Sequence, residues 1–164
     1  WKKAANASGY KIYRRTGNSS KWVNIATVSG SNTLVYTDGS VKAGTMYTYT
    51  VRAYKGSALS AYNKNGSRIV RLTAPVQYKP SSKASGKLTV RWKKAAGASS
   101  YQIQYAASRS MRGARTVATS ALTRTLSGLK KGSTCYVRIR SCKKVNGKAY
   151  YGTWSSVKNA KVRK

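Results

Sequence analysis

The sequence predicts an all-β fold made of two β-sandwiches in tandem, and three observations support this prediction. Apolar residues alternate with polar ones at a period of two rather than 3.6. Val, Ile, Thr and Tyr dominate the alternating runs, and these residue types favour strands. The runs are short and regularly spaced, which is typical of sandwiches. No segment shows the apolar stripe of an amphipathic helix.

The tandem arrangement is predicted by an internal duplication of the sequence. The opening residues WKKAANASGYKI, from Trp1, return as WKKAAGASSYQI from Trp92, a shift of 91 positions. Further along, VKAGT corresponds to LKKGS at a shift of 88. Because this shift is smaller than 91, the two copies differ in loop length. We therefore expect two domains, residues 1–73 and 74–164, divided where a strand-like run ends and Pro75 opens the next unit.

The alternation places strands along both copies, separated by turns. Asn146-Gly147 lies between strand-like flanks and predicts a type I′ hairpin turn, because both residues tolerate positive φ. Asp38 follows a predicted strand, and we expect its carboxylate to accept hydrogen bonds from nearby backbone N–H groups in an Asx turn. The predicted strands are 9–15, 21–28, 33–37, 46–54 and 67–72 in the first copy and 76–79, 87–93, 100–106, 114–118, 123–126, 134–144 and 156–162 in the second.

Residue types and spacing together resemble the fibronectin type III domain, an immunoglobulin-like β-sandwich. A Trp precedes a Gly-Tyr-x-Ile strand, and Lys-x-Gly-Thr-x-Tyr-x-Tyr-x-Val-Arg-Ala follows in the first copy. The resemblance spans essentially the whole chain and is nearest to the Lys- and Tyr-rich tandem copies on secreted and cell-wall proteins of Gram-positive bacteria. It implies a non-catalytic module located outside the cell or in the cell wall. The positions it implies for the core are Trp1, Trp92, Tyr10, Ile12, Tyr101 and Ile103.

The resemblance also marks two departures. Tyr47 matches the corner tyrosine of the family, whose hydroxyl bonds back to the chain, but the second copy has Cys135 at this position. The first copy starts at its Trp, so the initial strand of the sandwich is missing and a backbone edge is exposed. Either the sequence begins late, or a protein partner completes the first domain by strand addition. An Arg-Gly-Asp integrin-binding loop is absent, since the equivalent hairpin reads VNGK.

Composition argues against an enzyme and against a metal site. The 164 residues include 33 Lys and Arg, one acidic residue, Asp38, and no His, for a net charge of +32. General acid–base catalysis usually needs His or a tuned carboxylate, and zinc and calcium sites draw on the same groups. We expect no catalytic residues, no metal and no cofactor. No apolar run reaches the roughly 20 residues of a membrane helix.

The two cysteines leave the redox compartment open. Cys135 and Cys142 are seven residues apart in one predicted strand, about 23 Å, which is too far for a mutual disulfide. Both are either small hydrophobic residues of the interior, or Cys142, of opposite parity, is an exposed thiol that can bond to another molecule.

The excess charge predicts binding to anionic polymers. A surface this basic attracts polyanions. Alternation places Tyr136, Arg138 and Arg140 on the outer side of their strand, and we expect Lys143, Lys144 and Lys148 to continue that face into the hairpin. Arginines two apart can each bind a phosphate or sulfate, and Tyr can stack on bases or sugars. The corresponding residues of the first copy are Lys11, Tyr13, Arg15 and Arg52. The alternative is a solvated basic surface with aromatic cross-strand packing.

The sequence is compatible with two functions. The first is an extracellular spacer or adhesion module that binds teichoic acid, nucleic acid or sulfated glycan through its cationic surface. The second is an engineered, supercharged scaffold or a subunit of a larger extracellular assembly, which would explain the near absence of acidic residues.

Overall fold

A computed structural model describes all 164 residues, and its regular secondary structure is entirely β. The chain forms two compact units, Trp1–Arg71 and Leu72–Lys164. The all-β sandwich class expected from the sequence is confirmed, and no helix occurs that could span a membrane. The strands are β1 (Gly9–Thr16), β2 (Val23–Ser29), β3 (Met46–Lys55), β4 (Ala58–Leu59), β5 (Ser67–Val70), β6 (Leu88–Arg91), β7 (Ser100–Ala106), β8 (Arg115–Thr119), β9 (Thr123–Leu126), β10 (Thr134–Val145), β11 (Lys148–Trp154) and β12 (Lys158–Lys161).

The first unit contains one five-stranded antiparallel sheet. Its order is β2-β1-β3-β4, and β5 pairs with the first half of β3. Tyr10 and Ile12 of β1 point to the buried face together with Val51 of β3, because directly opposed residues share a face. The strand predicted at 33–37 does not form a ladder. In the second unit the equivalent strand β9 pairs with β6.

The second unit is a two-layered sandwich. One layer is a five-stranded sheet of order β11-β10-β7-β8, with β12 paired to the start of β10. The other layer is the pair β6-β9, and the predicted strand at 76–79 contributes to it only an isolated bridge from Gln77 to Trp92. The core between the layers is apolar and consists mainly of Leu88, Val90, Trp92, Tyr101, Ile103, Leu126, Val137, Ile139 and Val162.

The duplicated Trp and Tyr make the same contacts in both units. The rings of Trp1 and Tyr10 are 5.4 Å apart and those of Trp92 and Tyr101 5.3 Å apart. In each unit the tyrosine hydroxyl accepts a hydrogen bond from the alanine N–H three residues after the tryptophan, at 3.1 Å and 3.0 Å. The implied core position holds for Trp92, which is 2% exposed, but not for Trp1, which is 37% exposed. The difference arises because the β6-β9 layer that covers Trp92 has no complete counterpart in the first unit.

The hairpin and corner features follow the sequence closely. Asn146 and Gly147 have φ values of 50° and 78°, as a type I′ turn requires, and the turn joins β10 to β11. Tyr47 accepts a hydrogen bond from the backbone N–H of Lys42 at 2.9 Å, which closes the corner of the first unit. Cys135, its counterpart in the second unit, is buried and cannot reach in the same way. Cys142 is also buried, so the structure contradicts the exposed thiol and supports the interpretation of both cysteines as small interior residues.

We expect Tyr101→Phe to lower the free energy of unfolding of the second unit by about 1–2 kcal/mol, because the buried Ala95 N–H would lose its acceptor. Urea unfolding followed through the amide signals of β7 measures this change. Tyr78→Phe, at an exposed site, is the matched control. If Tyr101→Phe lowers the free energy of unfolding by less than about 0.5 kcal/mol, as a neutral surface substitution does, the prediction is contradicted.

Candidate functional site

The outer face of the second unit's sheet carries an alternating stack of cations and aromatic rings. Arg138 and Arg140 project from β10, as their period-two spacing predicts, and Trp154 lies on β11 directly opposite Arg140. The Trp154 ring centroid is 4.7 Å from the Arg138 guanidinium carbon and 4.5 Å from that of Arg140. The Tyr151 ring centroid lies 4.1 Å from the guanidinium carbon of Arg140. We call Arg138, Arg140, Tyr151 and Trp154 the β10 ladder.

Two glutamines of the neighbouring strand fix the guanidinium groups in this stack. Nε and Nη2 of Arg138 donate to Oε1 of Gln104 at 2.9 and 2.7 Å, and Arg140 makes the same pair of bonds to Gln102. The pairing of β10 with β7 places each glutamine directly opposite its arginine. Each fork therefore binds an amide oxygen of the same sheet. Since a guanidinium has five N–H donors, three on each arginine remain for an external anion or water.

The hairpin lysines do not all continue this face. Lys144 has the same parity as Arg140 in β10, and Lys143 has the opposite parity. Lys148 pairs with Val145 and therefore shares the side of Lys143, where its ammonium lies 5.7 Å from the Tyr150 ring. The expectation that all three lysines extend the arginine face is wrong, because neighbouring residues of a strand point to opposite sides. Tyr136 does share the face of Arg138.

The first unit has an equivalent arrangement on its outer face, which we call the β1 cluster. Its four predicted residues share this face, because Lys11 pairs directly with Arg52 while Tyr13 and Arg15 follow on β1. Two rings that the sequence analysis did not select complete the cluster. Arg15 lies 4.8 Å from the Trp22 ring and Arg52 lies 5.3 Å from the Tyr62 ring.

The rings of the β1 cluster cover the sheet beneath them. Trp22 and Tyr62 meet edge to face with their centroids 6.2 Å apart. Thr48 and Thr50 of β3, on the same face, are 1% and 6% exposed. Gly66 explains the close approach of Trp22, since a Cβ at this position would lie 2.8 Å from the indole ring. The arginine side chains are thus parts of a packed outer layer and not freely extended groups.

The single acidic side chain, Asp38, is ion-paired and hydrogen-bonded within the first unit. Asp38 Oδ2 lies 2.7 Å from Arg14 Nη1 and accepts a hydrogen bond from the Tyr49 hydroxyl at 2.8 Å. Its Oδ1 accepts from the backbone N–H and the hydroxyl of Ser40, which is the Asx turn that the sequence predicts. Burial by itself raises the pKa of Asp38, but the hydrogen bonds from Ser40, Tyr49 and Arg14 outweigh it and lower the pKa to about 2.

The same network changes the titration of its partners. Burial and the hydrogen bond to Asp38 raise the pKa of Tyr49 to about 12. The hydrogen bond to Asp38 raises the pKa of the Arg14 guanidinium. In the second unit the equivalents of Asp38 and Tyr49, at a shift of 88, are the core residues Leu126 and Val137. The first unit therefore has a polar network where the second has apolar core residues, and the carboxylate of Asp38 is bound by groups of the first unit itself.

The remaining cationic side chains lie at or near the surface. None of the 33 Lys and Arg side chains is buried, and most are exposed. Apart from Asp38, there is no acidic side chain to neutralise them. No group of three or more His, Cys, Asp or Glu residues comes together at a possible metal site.

Comparisons with known proteins do not establish a family. No protein-family model matches the chain, and no curated protein does. Among solved structures, the chain is similar to the crystal structure of the chicken CNTN1 FN1-FN3 domains, with 22% sequence identity and a TM-score of 0.48. The match covers 95% of this chain and 54% of that chain, so the present chain spans about half of its length.

We expect the first unit to lose stability as the pH falls from about 4 to about 2. The folded pKa of Asp38 is below its ordinary value of 3.8, so its contribution is present above that pH and is lost as the pH falls through about 2. The full loss amounts to about 2 kcal/mol. Urea unfolding of wild type and Asp38→Asn across this range measures it. Equal pH slopes for the two proteins would show that Asp38 does not carry the effect.

We also expect Trp154→Leu to lower the free energy of unfolding of the second unit by about 2 kcal/mol, because two arginines lose their stacking partner. Tyr78→Leu replaces an exposed aromatic residue away from the ladder and should cost under about 0.5 kcal/mol. Urea unfolding followed through the β10 amides compares the two. Similar losses for both variants would mean that the ladder adds no stability.

Proposed function

We propose that the chain is a non-catalytic extracellular or cell-wall module that acts as a spacer and adhesion element and binds anionic polymers. The carrying observation is the unbalanced charge: 33 cationic side chains, none buried, against one carboxylate that is already paired with Arg14. A surface of this kind has a positive potential of several kT and attracts teichoic acid, nucleic acid or sulfated glycan.

The β10 ladder and the β1 cluster favour binding at defined positions of the surface over attraction by the net charge alone. In the ladder, Gln102 and Gln104 hold the two guanidinium groups before any ligand arrives, so little side-chain entropy remains to be lost on binding. The three N–H groups left on each arginine can donate to phosphate or sulfate oxygens. The adjacent rings of Tyr151 and Trp154 can contact a base or the apolar face of a sugar.

Binding of this type is sensitive to salt. Each phosphate neutralised on duplex DNA releases condensed counterions, which gives a log-log salt slope of about −0.9 per contact. If 6 phosphates are contacted, the affinity falls by about a thousandfold between 50 and 200 mM salt. The proposal therefore predicts tight binding at low salt and little discrimination between sequences.

Titration of the intact chain with heparin and with duplex DNA at several salt concentrations tests the proposal. We expect Lys144→Ser, on the ladder face, to make the DNA salt slope shallower by about one. Lys87→Ser removes the same charge from an exposed site next to β6, in the other layer, and should leave the slope nearly unchanged. Absence of binding to either polymer at 50 mM salt would refute polyanion binding.

A second variant separates the ladder from simple charge. Arg140→Lys keeps the charge but removes the planar fork that stacks on Trp154 and Tyr151. We expect it to weaken heparin binding by about three- to tenfold with the salt slope retained. Unchanged affinity would mean that binding depends on net charge alone and that the ladder has only a structural role.

A further inference from the structure

The second unit has a cavity beside Cys135, and the first unit shows what fills the equivalent space. There Tyr47 pairs with Thr16 across the sheet and accepts a hydrogen bond from Lys42 N–H at 2.9 Å. The guanidinium of Arg14 lies 5.0 Å from the centre of its ring. Tyr47 is 4% exposed, so the first unit encloses a phenol group almost completely.

The repeat carries these three partners to the second unit. At a shift of 91, Thr16 corresponds to Ala107 and Arg14 to Tyr105. At a shift of 88, Lys42 corresponds to Lys130 and Tyr47 to Cys135. All four residues line one open cavity of about 290 Å³. A thiol is much shorter than a phenol ring, so the residues equivalent to those that surround the Tyr47 ring surround a cavity in the second unit. The turn that begins at Lys130 matches its counterpart in the first unit, since Ser133 N–H donates to Lys130 C=O at 3.3 Å as Thr45 N–H does to Lys42 C=O.

The cavity walls combine a ring, backbone groups and positive charge. Tyr105 offers an aromatic surface, and Leu129 adds an apolar one. Arg115 and Lys130 line the cavity as well, so a ligand with an anionic substituent is favoured. Burial raises the pKa of the Cys135 thiol, which keeps it protonated and makes it a wall of the cavity rather than a nucleophile.

We propose that this cavity is a binding site for small phenols that carry a carboxylate. The ring packs against Tyr105, and the hydroxyl accepts from Lys130 N–H as Tyr47 does from Lys42. The carboxylate is attracted by Arg115 and Lys130. The residues that line the cavity lie outside the β10 ladder and the β1 cluster, so the variants that test those two sites leave the cavity unchanged.

NMR titration of the intact chain with 4-hydroxyphenylacetate tests this proposal. We expect saturable shifts of the amides of Tyr105 and Lys130 with a dissociation constant on the order of 1 mM, as is usual for so small a ligand. Phenylacetate, which has the same charge but no hydroxyl, should bind about fivefold more weakly. The amides of Lys42 and Tyr47 in the first unit serve as an internal control and should not shift.

Two variants complete the test. Cys135→Tyr should fill the cavity and abolish binding, while Cys135→Ser leaves it open and should retain binding. If Cys135→Tyr does not fold, Arg115→Ser replaces it, with an expected affinity loss of about threefold for 4-hydroxyphenylacetate. Linear, unsaturable shifts, shifts spread over lysines of both units, or equal binding of the two acids would overturn the proposal.

Discussion

The structure depends above all on how 33 cationic side chains are accommodated with only one carboxylate among them. Apart from Arg14, which pairs with Asp38, the arginines that pack against the sheets contact groups other than acids. Arg138 and Arg140 bind glutamine oxygens and aromatic faces, and Arg52 donates to the carbonyl of Ser60 at 2.7 Å. Such partners neutralise no charge, so they order the guanidinium groups and leave the net charge of the molecule unchanged. This is why a well-packed outer layer and a strongly positive surface coexist.

The duplication shows which features the fold requires and which each unit has changed. The ring pair and hydrogen bond of Trp92 and Tyr101 recur in the first unit, although the layer that covers Trp92 has no complete counterpart there. The interior near the corner has diverged. The first unit has an ion pair and a corner tyrosine there, while the second has Leu126, Val137 and a cavity beside Cys135. An apolar core can lose a ring and remain folded, whereas a buried carboxylate requires all of its hydrogen bonds.

Much of the fold and part of the candidate site could be predicted from the sequence. The strands β7 and β9 match the predicted bounds, and the Asn146-Gly147 turn has the predicted conformation. Tyr151 could have been placed as well, since counting outward from this turn brings it opposite Cys142. Trp154 could not, because β11 contains an irregularity that shifts its register before it reaches Arg140. Tyr62 lies outside both the predicted and the observed strands, and Trp22 falls in the predicted strand 21–28 but outside β2, so alternation does not give the side to which either ring points.

The sequence by itself determined the all-β class, the tandem repeat, the positive charge and the shared face of Arg138 and Arg140, because these depend on composition and on a period of two that every strand obeys. Only the tertiary structure decided what those arginines contact, where Asp38 finds Arg14, and that the space beside Cys135 is open. Each of these depends on register and loop path, which bring together residues that are far apart in the sequence. Alternation along a strand fixes the side to which a residue points, but not the partner it meets there.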